Sequence, residues 1–414
     1  MNDDPARAAI SRFVAARHQS QARFLASLVK IPSDNPPGHC KPHAEAAARL
    51  LEQLGFAVER CPVPEKLARE AGMVSAMNLI VRERFGDGPT IALNAHGDVV
   101  PPGLGWSTDP YGAEIRDGRM YGRGVAVSKS DFATYAFALL ALLALKSIGI
   151  PLKGTVELHF TYDEETGGEI GPKWLLAQGL SKPDYAICAG FSYDITTAHN
   201  GCLHLEVEVT GKSAHAARPD TGEDALEAAA GIITDLYALR KTYASTRSQT
   251  PGIDSPTLVV GLISGGINTN VVPDNVKFRI DRRIIPDEDP HRVEQDLLAK
   301  LETFGGKWPG VSCRISRVLL AKPLTPIPGQ ERLVEAIRRN AKTVLGEDIR
   351  AHGVPIYTDA RHYSAAGIPT VLYGAGPRTL LEANGHRADE NLRLDDLYKA
   401  TEVIALSLHE LLSA

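Results

Sequence analysis

Apolar residues recur at helical spacing over residues 4–30, 43–54, 132–145, 170–178, 224–239, 290–304, 329–345 and 394–412, which predicts a helix at each. Short β-rich or alternating runs at 77–82, 90–94, 155–161, 185–189, 203–211, 257–264, 275–284, 311–318 and 370–373 predict strands. Glycine and proline punctuate them. The segment Ile31-Pro32-Ser33-Asp34-Asn35-Pro36-Pro37-Gly38 reads as a rigid loop, Gly55 stops a helix, and 353–361 is turn-rich. Up to residue 198, strands and helices alternate, as in a doubly wound or mixed sheet covered by helices. Around His199 the order becomes βαββαβ, the split βαβ or ferredoxin-like unit. From Leu324 the first pattern resumes. The expected organisation is one α/β domain in two stretches, 1–198 and 321–414, interrupted by an inserted domain at 199–320.

Composition narrows the function classes. A chain of 414 residues has enough apolar content for two cores. Its 45 basic and 50 acidic residues give a net charge of -5 and no polycationic face, which argues against nucleic acid or an anionic membrane as partner. No apolar run is read as approaching the ~20 residues of a membrane span, so a cytoplasmic protein is expected. The five cysteines, at 40, 61, 188, 202 and 313, form no CxxC pair and read as buried free thiols.

Candidate chemistry gathers at strand ends. The predicted strand 155–161 runs into Asp163-Glu164-Glu165-Thr166-Gly167-Gly168, and acids at the carboxyl end of an α/β strand can face a ligand crevice. Taken alone, the same run also reads as a solvated acidic turn. Strand 90–94 runs into His96-Gly97-Asp98, where an imidazole can bind a metal while a carboxylate two residues on holds its other ring nitrogen. The glycines of 118–131 match neither a phosphate loop nor a dinucleotide turn.

Seven motifs in order then resemble one family over nearly the whole chain. They are His96-Gly97-Asp98, Gly122-Arg123-Gly124, Asp163-Glu164-Glu165, Gly211-Lys212-Ser213-Ala214-His215, Asn270-Val271-Val272-Pro273, Thr358-Asp359-Ala360-Arg361, and His386 with Glu390. The chain resembles peptidase family M20, which includes acetylornithine deacetylase, succinyl-diaminopimelate desuccinylase and glutamate carboxypeptidase. The resemblance implies a mixed-sheet catalytic domain of zinc-aminopeptidase type and an inserted ferredoxin-like (βαββαβ) dimerisation domain. It implies a homodimeric hydrolase that cleaves an N-acyl amino acid or dipeptide-like amide next to a carboxylate. By the same resemblance two zinc ions share an aspartate and a water. Glu165 and His386 hold one ion, and His96 with a later acid holds the other. Glu164 moves the proton from water to the leaving amine, with Asp98 behind His96. His215 stabilises the oxyanion across the dimer, and Asn270 and Arg361 bind the substrate carboxylate.

Two family ligands are changed. The metal-bridging aspartate falls on Val127, although Lys129 keeps its place, and the acid after strand 185–189 falls on Gly190. Without the bridging charge, two close dications repel. Three arrangements remain open. Asp131 and Asp194, each four residues beyond a lost ligand, replace them. One zinc or other divalent ion binds His96, Glu165 and His386. No metal binds, and Glu164 works with His215 and Asn270, with His199 or His362 as further candidates. The alternative function is an inactive relative that binds a small carboxylated ligand.

Overall fold

The structure is a computed structural model that describes residues 4–413. Two compact units emerge. The larger takes the chain as far as Thr197, then Pro326–His352, then Thr358 onward; the smaller comprises Ala198–Thr325 and Gly353–Tyr357.

The larger unit is built on an eight-stranded mixed sheet. In spatial order its strands are Val58–Pro62, Met77–Arg84, Thr155–Thr161, Thr90–His96, Tyr185–Cys188, Thr370–Leu372, Asp194–His199 and Arg350–Val354. The central strands Thr155–Thr161, Thr90–His96, Tyr185–Cys188 and Thr370–Leu372 are mutually parallel. Successive side chains of a strand face opposite sides. Accordingly Leu79 and Val81 join the main core, while Ile80 packs with Cys61 and Leu175 in a separate cluster, so apolar groups cover both faces. The main core draws on the long helices Pro5–Val29, Lys129–Ser147, Gln330–Leu345 and Leu394–Ser413.

Helix Lys129–Ser147 is long and apolar enough to cross a membrane by length and composition, contrary to the reading that no run approaches that length, and 72% of its apolar window is buried. Its apolar surface is spent on the core. The predicted helix 170–178 shortens to Pro172–Ala177, because Gly171 and Pro172 permit a start only there. The turn-rich 353–361 contains the end of strand Arg350–Val354 and the start of helix Ala360–Ala365.

In the smaller unit, strands Gly201–Thr210, Thr257–Gly265, Asn275–Ile284 and Ser312–Ala321 and helices Ala225–Thr242 and Pro290–Gly305 follow the βαββαβ order. The sheet is antiparallel, with Gly201–Thr210 and Asn275–Ile284 central and Thr257–Gly265 at one edge. Alternation along Gly201–Thr210 buries Leu203, Leu205, Val207 and Val209 against the helices and leaves His204, Glu206 and Glu208 half-buried on the other face.

Candidate active site

Register brings the chemistry together. Strands Thr90–His96 and Thr155–Thr161 pair in parallel with His96 opposite Thr161, so two motifs far apart in the chain end side by side. The Gly97 amide donates to the Thr161 carbonyl at 2.8 Å, and a Cβ on Gly97 would stand 2.5 Å from the Tyr162 ring, so only glycine fits between His96 and Asp98. Beyond Asp163 the chain forms a single 3-10 turn, Glu164–Thr166.

His96 is buried, and its Nδ1 lies 3.0 Å from the Asp98 backbone carbonyl and 3.4 Å from Asp98 Oδ1. Nδ1–H donates to that carbonyl, and Nε2 lies 3.8 Å from Glu164 Oε2. The Asp98 carboxylate accepts the backbone amides of Glu164 at 3.3 Å and Glu165 at 3.2 Å and the Asn35 side-chain amide at 2.9 Å. Among the described residues, His96, Glu164 and Glu165 form a group whose donor atoms all fall within 4.8 Å of one another. His386 Nε2 sits 3.4 Å from Glu165 Oε1, on a side chain 53% exposed.

The corner is crowded with negative charge. Burial, reinforced by Glu165, Asp359 and Asp98, pushes Glu164 well above the usual carboxylate range against the pull of His96. Burial likewise raises Asp163, helped by Asp359 and Asp98, and raises Asp359 to about 7. Burial opposes the charged form of His96, yet Glu164 and Asp98 outweigh it and hold the imidazole well above its ordinary value. Such a site favours any added positive charge.

Val127 and Gly190 stand where the resemblance expects metal-binding acids. Val127 is half-buried, with its amide donating to Glu390 Oε1 at 3.1 Å. Glu390 also accepts the Ala126 amide at 3.0 Å and pairs with buried Arg123 at 2.6 Å, so it serves this loop. At Gly190 a Cβ would stand 2.8 Å from the Leu372 carbonyl carbon and the Tyr373 nitrogen, which are backbone atoms that cannot step aside. Buried Asp131 accepts the Ala375 amide at 2.7 Å, and Asp194 pairs with His352 Nε2 at 2.8 Å. Burial pushes Lys129 down to about 7, with its Nζ 3.1 Å from the Ile31 carbonyl.

Helix Ala360–Ala365 presents two further groups. Buried Arg361 donates through Nη2 to the Gly167 carbonyl, lies 3.4 Å from Glu169 Oε1, and leaves its Nε without a partner among the described residues. His362 Nε2 also meets the Gly167 carbonyl, at 3.1 Å. In the smaller unit, His215 and Asn270 occupy adjoining exposed loops, joined by the Ala216 amide donating to the Asn270 carbonyl at 3.0 Å, and His199 is buried. Two residues of the corner carried no role in the sequence reading. Asp359 accepts from Thr161 Oγ1 at 3.2 Å; its signal was its place beside Arg361. Asn35 lay hidden in a loop read only for its prolines.

Parallel strands ending in a histidine and carboxylate corner, in a unit interrupted by a ferredoxin-like insertion, point to an α/β metallopeptidase or amidohydrolase. Residues 92–410 match peptidase family M20/M25/M40, and the chain belongs to that family of metal-dependent peptidases and amidohydrolases. It is 31% identical to the acetylornithine deacetylase of Proteus mirabilis over 339 residues, 80% of each chain. Its fold matches the di-peptidase Dug1p from Saccharomyces cerevisiae with a TM-score of 0.79 at 15% identity, over 99% of both chains. It also matches a Bacillus subtilis protein described as a dinuclear metal binding peptidase from this family, with a TM-score of 0.65 at 18% identity, over 96% of this chain and 99% of that one.

Proposed function

We propose that the chain hydrolyses the amide of a small N-acyl amino acid or dipeptide-like substrate next to its carboxylate, with at most one divalent cation in place of a pair. The observation that carries this reading is the His96, Glu164 and Glu165 group, with donor atoms within 4.8 Å of one another at the carboxyl ends of parallel strands. His96, on giving up its extra proton, and Glu165, with His386 beside it, would hold a single dication such as zinc and leave Glu164 outside the ligand set. A pair does not fit, because Val127 offers no bridging oxygen and the backbone against Gly190 leaves no room for an acid. When bound, the cation polarises the scissile carbonyl and acidifies water.

The remaining work falls to the chain's own groups. Glu164, with its Oε2 3.8 Å from His96 Nε2, is placed to accept a proton from water and return it to the leaving amine. Glu165 and His386 support the cation side, 3.4 Å apart. Asp131 and Asp194 keep their own partners, the Ala375 amide and His352. Arg361 is the candidate partner of a substrate carboxylate, which would have to compete with the Gly167 carbonyl and Glu169 for its Nη2. The Ala217 amide donates to His215 Nδ1 at 3.0 Å, so a neutral His215 carries its proton on Nε2, free to donate to an oxyanion beside Asn270. Pairing with a second copy is supported by the edge strand Thr257–Gly265, which exposes Leu262 and Ile263.

Elemental analysis of the purified protein, with a hydrolysis screen of N-acyl amino acids and dipeptides using wild type and Glu164→Gln, tests this. The expected result is about one metal ion or fewer per chain and turnover that the variant loses. Two ions per chain would overturn the reading of Val127 and Gly190, and equal turnover would remove Glu164 from the mechanism. Val127 and Gly190 favour a second reading, in which the chain binds a small carboxylated ligand without cleaving it. Binding with no hydrolysis in the wild type would decide for that reading.

A further inference from the structure

The proline-rich loop before the second helix is stitched along the catalytic strand end. Ser33 Oγ donates to the Gly97 carbonyl at 2.6 Å, the Val99 amide to the Ser33 carbonyl at 3.1 Å, and the Asn35 amide to the Val99 carbonyl at 2.8 Å. Residues 33–35 therefore run beside Gly97, Asp98 and Val99 as a short parallel ribbon. Within it the Asn35 side chain is 1% exposed. Its Nδ2 donates to Asp98 Oδ2 at 2.9 Å and reaches Thr166 Oγ1 at 3.3 Å, while its Oδ1 has no hydrogen-bond partner among the described residues. Leaving an amide oxygen unsatisfied in the interior costs stability, so its nitrogen has been placed where it is wanted.

That nitrogen stands at a junction. Asp98 holds His96 through its backbone carbonyl and the Glu164–Thr166 turn through two amides, and Thr166 closes the turn. We infer that Asn35 is a positioning residue, whose amide nitrogen clamps the Asp98 carboxylate to the Glu164–Thr166 turn and so fixes Glu164 relative to His96. Asparagine suits the post because it donates without adding charge. An aspartate there would set a carboxylate against Asp98, in a corner already holding Asp163, Glu164, Glu165 and Asp359.

The kinetic half of the test rests on the hydrolysis proposed above; the spectroscopic half does not. Three variants are compared with wild type: Asn35→Ala, Asn35→Asp and Tyr111→Phe. Tyr111→Phe removes the hydroxyl that donates to Asp34 in the same loop without touching Asp98. Asn35→Ala is expected to lower kcat by about tenfold to a hundredfold, the range for a misplaced reacting group, with KM changed less than about threefold. Asn35→Asp, nearly identical in shape, is expected to be no better than Asn35→Ala, whereas a space-filling role would let it rescue. Tyr111→Phe should match Asn35→Ala in lost thermal stability but keep its kcat. In nitrogen-15 spectra, the ring signals of His96, assigned by their absence in His96→Gln, should move in Asn35→Ala and stay in Tyr111→Phe. Rescue by aspartate, an equal kcat loss in Tyr111→Phe, or unmoved His96 signals overturns the inference. A wild type that cleaves no amide refutes the hydrolysis reading, and the spectra still decide the role of Asn35.

Discussion

The larger unit concentrates like charges, whereas the smaller one distributes opposite ones. At the strand ends of the larger unit, Asp98 and Asp359 both push Asp163 and Glu164 up and Asp98 pushes Asp359 up, with His96 as the cation set among them. On the outer face of the smaller sheet, Glu206 pairs with Arg279 at 2.8 Å, Glu208 with Lys277 at 3.1 Å and with Arg314, and His204 with Asp281 at 3.5 Å. These partners sit opposite one another across neighbouring strands, at Glu206–Arg279, Glu208–Lys277, His204–Asp281 and Glu208–Arg314. The sheet uses charge to reinforce register. The corner accumulates charge at a cost to folding, which is the mark of a site kept for chemistry or for a cation.

The largest effect expected to sharpen this contrast is on turnover. Glu164→Gln keeps the shape and removes the proton acceptor, so kcat should fall by about a hundredfold or more while the fold persists. Steady-state kinetics and thermal melts check both. Next comes Gly190, where the family resemblance expects an acid. Gly190→Asp should destabilise the protein by about 1–3 kcal/mol in chemical denaturation, since the new side chain meets backbone. If it is tolerated, room for a second metal ligand exists after all.

Smaller still is the relief of like charge. Asp359→Asn should raise stability at pH 8 by about 0.5–2 kcal/mol, as expected when a functional strain is released. Asp359 sits at about 7 in the folded chain, above its ordinary 3.8, so the fold holds a proton that the unfolded chain releases. Its favourable contribution is complete below 3.8 and disappears as pH rises through 7, and the variant should lack that part of the slope.

The sheet supplies the smallest effect and a different pH window. Burial opposes charge on His204, but Asp281, with Cys202 beside it, lifts it from 6.5 to about 9. The pair is therefore fully favourable below 6.5 and lost as pH rises through 9. The unfolding free energy of His204→Gln, from chemical denaturation across pH, should differ from wild type by about 1 kcal/mol or less and flatten in that window. If both variants flatten the same window, the contrast between the two regions fails.

Much of this protein was legible along the chain because its signals are local. Alternation in 203–211 and helical spacing in 224–239 follow from which face of each element meets a core, and they announced the βαββαβ unit. His96-Gly97-Asp98 and Asp163-Glu164-Glu165 were readable as strand-end motifs, and Val127 and Gly190 as missing acids. Short elements such as Val58–Pro62, Glu65–Glu70 and Asn391–Arg393 left no periodicity to read, being only three to six residues long. What the sequence by itself determined was the elements, their order and the residue types brought to the strand ends. Only the tertiary structure decided that parallel register sets His96 opposite Thr161, that backbone closes off Gly190, and that the Asp98 carboxylate is held by two amides and Asn35. Periodicity records how each element faces its own core, whereas distances between segments far apart in the chain exist only once packing has set them.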